Sequence, residues 1–283
     1  MPRRPEHVVE VGDVRLSIDL AAGGRASSWI VGPHELLAVH GDDPAAGGMY
    51  PMAPWAGRLR DNALTVDGGV HPMVPNYGIW ALHGLAYRSS VEILESSALD
   101  DHARLVGRVD AEQGWPWPMA IDLVWDLRPR VLTTSVIVHA LADEFPVVVG
   151  WHPWFRRRLV GGEPLEWSVE AEQLVQRGDD HLPTGRLMPM ADVAGPFDDA
   201  FHVPSGRAKV RWPGLLEIDV SNDAPWFVVF DELDDAACVE PQSGPPNGVN
   251  DGLGWPIPMA APGRPHVLTT TWVMRDDPRV GRG

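Results

Sequence analysis

Two short segments hold residue types suited to proton transfer: Gly150, Trp151, His152, Pro153, Trp154, Phe155, and Cys238, Val239, Glu240, Pro241, Gln242. Imidazole and carboxylate have unperturbed pKa values of about 6.5 and about 4.3, a range that burial moves toward neutrality, so the pair can act as acid and base. The tryptophans flanking His152 offer flat apolar faces for the C–H face of a sugar ring. Glu240 stands between Cys238, Val239 and Pro241, where a charge needs a partner or a task. Taken alone, such a histidine is more often a hydrogen-bonded structural residue, and for Glu240 a solvated surface role and a functional one weigh equally.

Elements elsewhere in the chain must bring these segments together. Val14, Leu16, Ile18 and Leu20 alternate with Arg15, Ser17 and Asp19, and Ile121, Leu123, Trp125 and Leu127 with Asp122 and Asp126. Trp167, Val169 and Ala171 alternate with Ser168, Glu170 and Glu172, and Leu216, Ile218 and Val220 with Glu217 and Asp219. Period two predicts strands with one buried face. Trp226 to Phe230 and Val267 to Val273 are more continuously apolar, which predicts central strands buried on both faces.

No amphipathic helical pattern of convincing length occurs. Strands joined by turns without helices predict an all-β fold of stacked antiparallel sheets. The 29 glycines and 28 prolines recur along the chain without a boundary or an internal repeat, so one domain over 1–283 is expected. Trp115, Pro116, Trp117, Pro118 predicts an irregular edge or loop.

The net charge of −16, from 39 acidic and 23 basic residues, repels phosphate backbones and anionic membrane surfaces, so neither nucleic acid nor membrane is expected as a partner. The single cysteine, Cys238, cannot close an internal disulfide, and no basic start followed by a long apolar run occurs. A soluble cytoplasmic protein, monomer or homodimer, is the expectation. Thirteen tryptophans against three tyrosines suit either a carbohydrate cleft or sheet cores. There is no two-histidine helical motif and no paired-cysteine spacing, and Gly23 and Gly24 lack the spacing of a nucleotide loop and read as turn residues. No metal and no cofactor are expected.

Five landmarks follow one another: Ala56, Gly57, Arg58, Leu59; Leu82, His83, Gly84, Leu85; His152, Pro153, Trp154, Phe155; Asp198, Asp199, Ala200, Phe201; and Val239, Glu240, Pro241, Gln242. In that order the chain resembles the aldose 1-epimerase (galactose mutarotase) family, in register from Gly23 and Gly24 to Thr269, Thr270 and Thr271. The resemblance implies a large antiparallel β-sandwich, often called a supersandwich. It implies interconversion of the α and β anomers of a hexose, with Glu240 as general base at O1 and His152 as general acid at O5. It further implies that Arg58, His83 and Asp198 hold sugar hydroxyls; Trp151 and Trp154, which flank His152, are the candidate aromatic walls. Asp198 is chosen over Asp199 because the family's aspartate stands three before the phenylalanine. For His83, beside Leu82 and Leu85, a satisfied core histidine is the competing reading.

The chain also departs from the family. Gly57 stands where many members have a sugar-contacting asparagine, and Phe155 is followed by Arg156. The run Arg156, Arg157, Arg158 opens the alternative of a hexose phosphate, since arginine suits phosphate, although adjacent strand residues point to opposite faces, so at most part of the run reaches one ligand. Two other classes stay open. A non-catalytic carbohydrate-binding protein would bind without turnover, and a glycosidase would use Asp198 and Glu240 about 5 Å apart.

Overall fold

The computed structural model describes residues 6–41, 43–110 and 114–277. Two large sheets, one of eleven strands and one of eight, carry most of the chain, beside two two-stranded ribbons. Pairing within both large sheets is antiparallel. Among the described residues, helix is limited to single 3₁₀ turns at Arg60–Asn62, Ala86–Arg88 and Met190–Asp192. The fold is therefore all-β, a large antiparallel β-sandwich, as the period-two patterning required. No helix of the described residues is long and apolar enough to cross a membrane.

Alternation decides which side chains enter the core. In Val131–Ala140 every second residue is buried, beginning with Leu132 and ending with Ala140. One core cluster joins Leu16, Trp29, Phe201 and Phe227 of the larger sheet to Leu105, Trp125, Ile218 and Trp272 of the smaller one. Trp29 meets Trp272 edge-on across this interface at 5.8 Å. Edge-to-face packing of this kind adds to the large apolar area that each ring buries.

Of the two runs expected to be buried on both faces, one behaves so. Trp226–Phe230 is buried at four of its five positions, between strands Ala236–Gln242 and Asp198–His202. Val267 to Val273 is a correction. Strand His266–Asp276 buries Leu268, Thr270, Trp272 and Met274 but leaves Val267 42% exposed. Its outward positions are Val267, Thr269, Thr271 and Val273, whose apolar or weakly polar side chains hide a period of two.

Six neighbouring strands of the larger sheet position the site, in the order Met49–Met52, Gly150–Arg156, Ala236–Gln242, Trp226–Phe230, Asp198–His202 and Gln173–Arg177. One face of this run packs on the smaller sheet. The other is covered by a long excursion and a late loop, whose Trp55, Leu59, Leu82, Tyr87 and Val249 pack with Tyr50, Met52, Trp154 and Cys238 in a second core cluster. Trp115 and Trp117 lie outside any strand, stacked on Trp55 and Phe145, as the alternate prolines predicted. Gly23 and Gly24 are turn residues.

Candidate active site

The register places His152 and Glu240 side by side. In the antiparallel pair formed by Gly150–Arg156 and Ala236–Gln242, Gly150 lies opposite Gln242 and Trp154 opposite Cys238, which puts His152 level with Glu240. Both project from the face turned away from the smaller sheet, because Val239 and Ala237 between them enter the inter-sheet core. Nε2 of His152 is 3.2 Å from Oε1 of Glu240. Gln242, two residues further on the same face, donates from Nε2 to Oε2 of Glu240 at 3.1 Å.

Both members of the pair are buried, His152 at 5% and Glu240 at 2% exposure. The imidazole lies between two rings: Trp154 is stacked at 5.2 Å and 9°, and Tyr50 at 4.8 Å and 26°. Burial, then the neighbouring His83 and the cation of Arg25, hold His152 well below the usual histidine pKa. Burial, then Asp198, push Glu240 well above the usual carboxylate range. Low dielectric disfavours every isolated charge, so the pair shares one proton and stays neutral overall.

A second layer fixes these rings. The Arg25 guanidinium lies 4.5 Å from the centre of the Tyr50 ring. It donates to the carbonyls of Pro44, Ala46 and Gly47, while the Tyr50 hydroxyl donates to Ala45 O at 2.7 Å. Tyr50, His152 and Trp154 thus form one ring stack, with the Arg25 cation over the Tyr50 ring.

The pair opens into a cavity of about 230 Å³ whose lining includes Arg58, His83, Trp154, Asp198, Phe230 and Gln242. That is below the roughly 300–1,000 Å³ of pockets for drug-sized ligands and is scaled to one small ring. Two polar atoms here, Nε of Arg58 and Oε1 of Gln242, are buried without a hydrogen-bond partner. Buried unsatisfied donors and acceptors cost free energy that a polyhydroxylated ligand recovers.

His83 borders the cavity at a backbone φ of 56°, a left-handed conformation that histidine adopts more readily than most residues. The Gly57 amide donates to its Nδ1 at 3.3 Å, so the neutral ring carries its proton on Nε2. Burial and the nearby Arg58 push the His83 pKa down to about 3. Its ring stands edge-on to His152 at 5.0 Å. Asp198 shares its strand face with Ala200 and accepts from Arg177 at 2.9 Å. Asp199 also borders the cavity, with Arg177 Nε 3.5 Å from its carboxylate. Burial raises both carboxyl pKa values and Arg177 pulls them back.

Of the seven residues singled out in the sequence, the cavity gathers His152, Glu240, Arg58, His83, Asp198 and Trp154. Trp151 is the exception and corrects the expectation. It is fully buried in the inter-sheet core, meeting Trp125 at 5.9 Å, because adjacent strand residues face opposite ways and His152 takes the cavity side. Tyr50, Arg25, Arg177 and Gln242 were not singled out. Gln242 was legible from its spacing two residues after Glu240. The other three come from separate strands with no local motif.

Residues 29–254 match the family model described as Aldose 1-epimerase. The chain belongs to the aldose 1-epimerase family. Similarity to individual members is distant: the uncharacterized protein YihR of Escherichia coli strain K12 is 22% identical over 282 residues, spanning 91% of this chain and 89% of that one. Among solved structures, a galactose mutarotase-like protein of Clostridium acetobutylicum superimposes with a TM-score of 0.81 at 15% identity, over 96% of this chain and 98% of the other. A galactose 1-epimerase of Lactobacillus acidophilus NCFM gives 0.76 at 15% identity, over 96% and 94%.

Within this aldose 1-epimerase fold the two departures have local reasons. Gly57 has φ +71°, and a Cβ there would lie 2.6 Å from Pro246 Cβ, so an asparagine at this position would be blocked by the late loop. Arg156, Arg157 and Arg158 lie away from the cavity. Arg156 donates to Leu37 O at 2.9 Å, and Arg157 to Asp231 O at 2.6 Å and to Leu233 O. Arg156 and Arg157 tie backbone segments together, and the run places no cation at the cavity.

Proposed function

We propose that this chain is a mutarotase acting on an unmodified aldohexose. The observation that carries the reading is the 3.2 Å apposition of His152 and Glu240 at one side of a small cavity lined with unsatisfied polar atoms. Ring opening needs one base and one acid, and a pair holding one proton supplies both without a net change of charge. In the productive form the proton resides on His152. Glu240 takes the proton of the C1 hydroxyl while His152 gives its proton to O5, the C1–O5 bond breaks, and C1 becomes an aldehyde.

Rotation about C1–C2 turns the other carbonyl face to O5. Closure reverses the transfers: His152 recovers the O5 proton, Glu240 returns one to O1, and the opposite anomer leaves. Arg58, His83, Asp198 and Gln242 orient the hydroxyls, and Trp154 packs on the ring. A relative described as a galactose 1-epimerase supports a hexose as substrate.

The test is NMR or polarimetric following of freshly dissolved α-glucose and α-galactose. Wild type should accelerate anomer interconversion, and Glu240→Gln and His152→Asn should each lose about 10²–10⁴-fold. Wild-type rates in either variant would remove that residue from the mechanism. Sugar binding without acceleration would favour the binding-only reading, and turnover confined to glucose 6-phosphate would restore the phosphosugar one.

A further inference from the structure

We propose that Cys238, Glu240 and His152 form a binding site for one divalent ion of borderline or soft character, such as Zn²⁺ or Cd²⁺, beside the sugar cavity. One ligating atom from each of the three lies within 4.8 Å of the others, and all three residues are buried. Cys238 and Glu240 are two apart on one strand face, and His152 is level with Glu240 on the adjacent strand. The strand pairing therefore builds the donor triangle, and no sequence spacing announces it.

The donor chemistry selects the ion. Sulfur, imidazole nitrogen and carboxylate oxygen form a set that zinc accepts, whereas magnesium and calcium take oxygen ligands. Thiolate and carboxylate together carry two negative charges, so a divalent ion leaves the buried site neutral, as a low-dielectric interior requires. Tetrahedral bonds of about 2.0–2.3 Å place ligand atoms roughly 3.3–3.8 Å apart. The nitrogen–oxygen edge is already 3.2 Å, so closure asks chiefly for a turn of the Cys238 side chain.

Two further observations favour a ligand here. Nδ1 of His152 is buried without a hydrogen-bond partner, and Nε2 faces Oε1 of Glu240 across the edge where the ion would sit. Gln242 holds Oε2 of Glu240 and leaves Oε1 on the side of His152, the outer support that orients ligating carboxylates. Because His152 and Glu240 line the cavity, the ion enters by the same mouth as the sugar, and its fourth position stays open to water. Ligation sends the thiol proton and the shared proton to solvent. It also occupies the lone pairs that proton transfer needs, so the ion inhibits; that consequence alone rests on the mutarotase reading.

Cys238 is the only cysteine, which makes a sulfur signal specific to this site. Purified protein is titrated with cadmium chloride, and the thiolate-to-cadmium charge-transfer absorption is followed in the near ultraviolet. Wild type should develop a band that saturates at one equivalent. Cys238→Ala and Cys238→Ser, checked for folding by circular dichroism, should show none. Glu240→Gln and His152→Ala should weaken binding by at least about tenfold. Absence of the band in wild type, or equal affinity in the Glu240 and His152 variants, overturns the proposal. The readout needs no turnover, so a protein that fails to interconvert anomers yet gives the band refutes the functional reading and sustains this one.

Discussion

His152 and Glu240 titrate as a unit, since 3.2 Å separates their facing atoms and burial acts on both. In the proposed mechanism the active form holds one proton; a second, taken up as pH falls, removes the base, and loss of the shared proton as pH rises removes the acid. Both of those forms are charged, and burial disfavours each, so the rate profile should have a broad plateau with limbs that belong to the pair. Arg25 lowers the His152 pKa and so opposes the doubly protonated cation. Arg25→Met should therefore move the acid limb of kcat/KM to higher pH, whereas Arg25→Lys, which keeps the charge, should leave it in place. An acid limb that is the same in wild type and Arg25→Met would remove Arg25 from the electrostatics of the pair. At this scale the sequence offered His152 and Glu240 through their neighbours and order, but not Arg25 or Tyr50, which reach the pair only through ring stacking across strands.

At the scale of the element, a one-residue step along Gly150–Arg156 separates function from packing. Trp151 lies in the inter-sheet core and Trp154 stacks on His152. Trp151→Phe should lower unfolding free energy by about 1–3 kcal/mol and leave KM for sugar near wild type, the ordinary cost of a core truncation. Trp154→Ala should raise KM several-fold and, because this ring also packs in the second core cluster, lose stability as well. Urea unfolding and anomerisation kinetics on the two variants check the split, and a reversed pattern would mean that the strand faces are exchanged. The alternation was plain in the sequence. Which parity faced the ligand was not, because a tryptophan suits a core and a sugar cleft equally well.

At the scale of the whole molecule, the larger sheet is buried on both faces over the site strands, and the cover creates the environment that shifts the site's pKa values. His83 shows the cost. Its folded pKa of about 3 lies below the unfolded value. Above about pH 6.5 both states are neutral and it contributes nothing; as pH falls the unfolded state takes the proton first, so stability is lost between about 6.5 and about 3. At roughly 1.4 kcal/mol per pKa unit, the full loss is on the order of 5 kcal/mol. His83→Gln should flatten the fall of unfolding free energy across pH 6.5 to 4, measured by urea titration at a series of pH values. An unchanged slope would show that burial of this ring is not a stability term.

Local patterning determined the strands, the absence of long helices and the landmark residues, because period two and turn residues are properties of a few consecutive positions. Register determined the rest. Level placement of His152 and Glu240, approach of Cys238 to both, closure of the cavity by Arg58 and His83 from the covering excursion, and removal of Trp151 to the core all depend on pairing between segments far apart in the chain. Those distances are set by hydrogen-bonded ladders and inter-sheet packing, which only the folded molecule possesses.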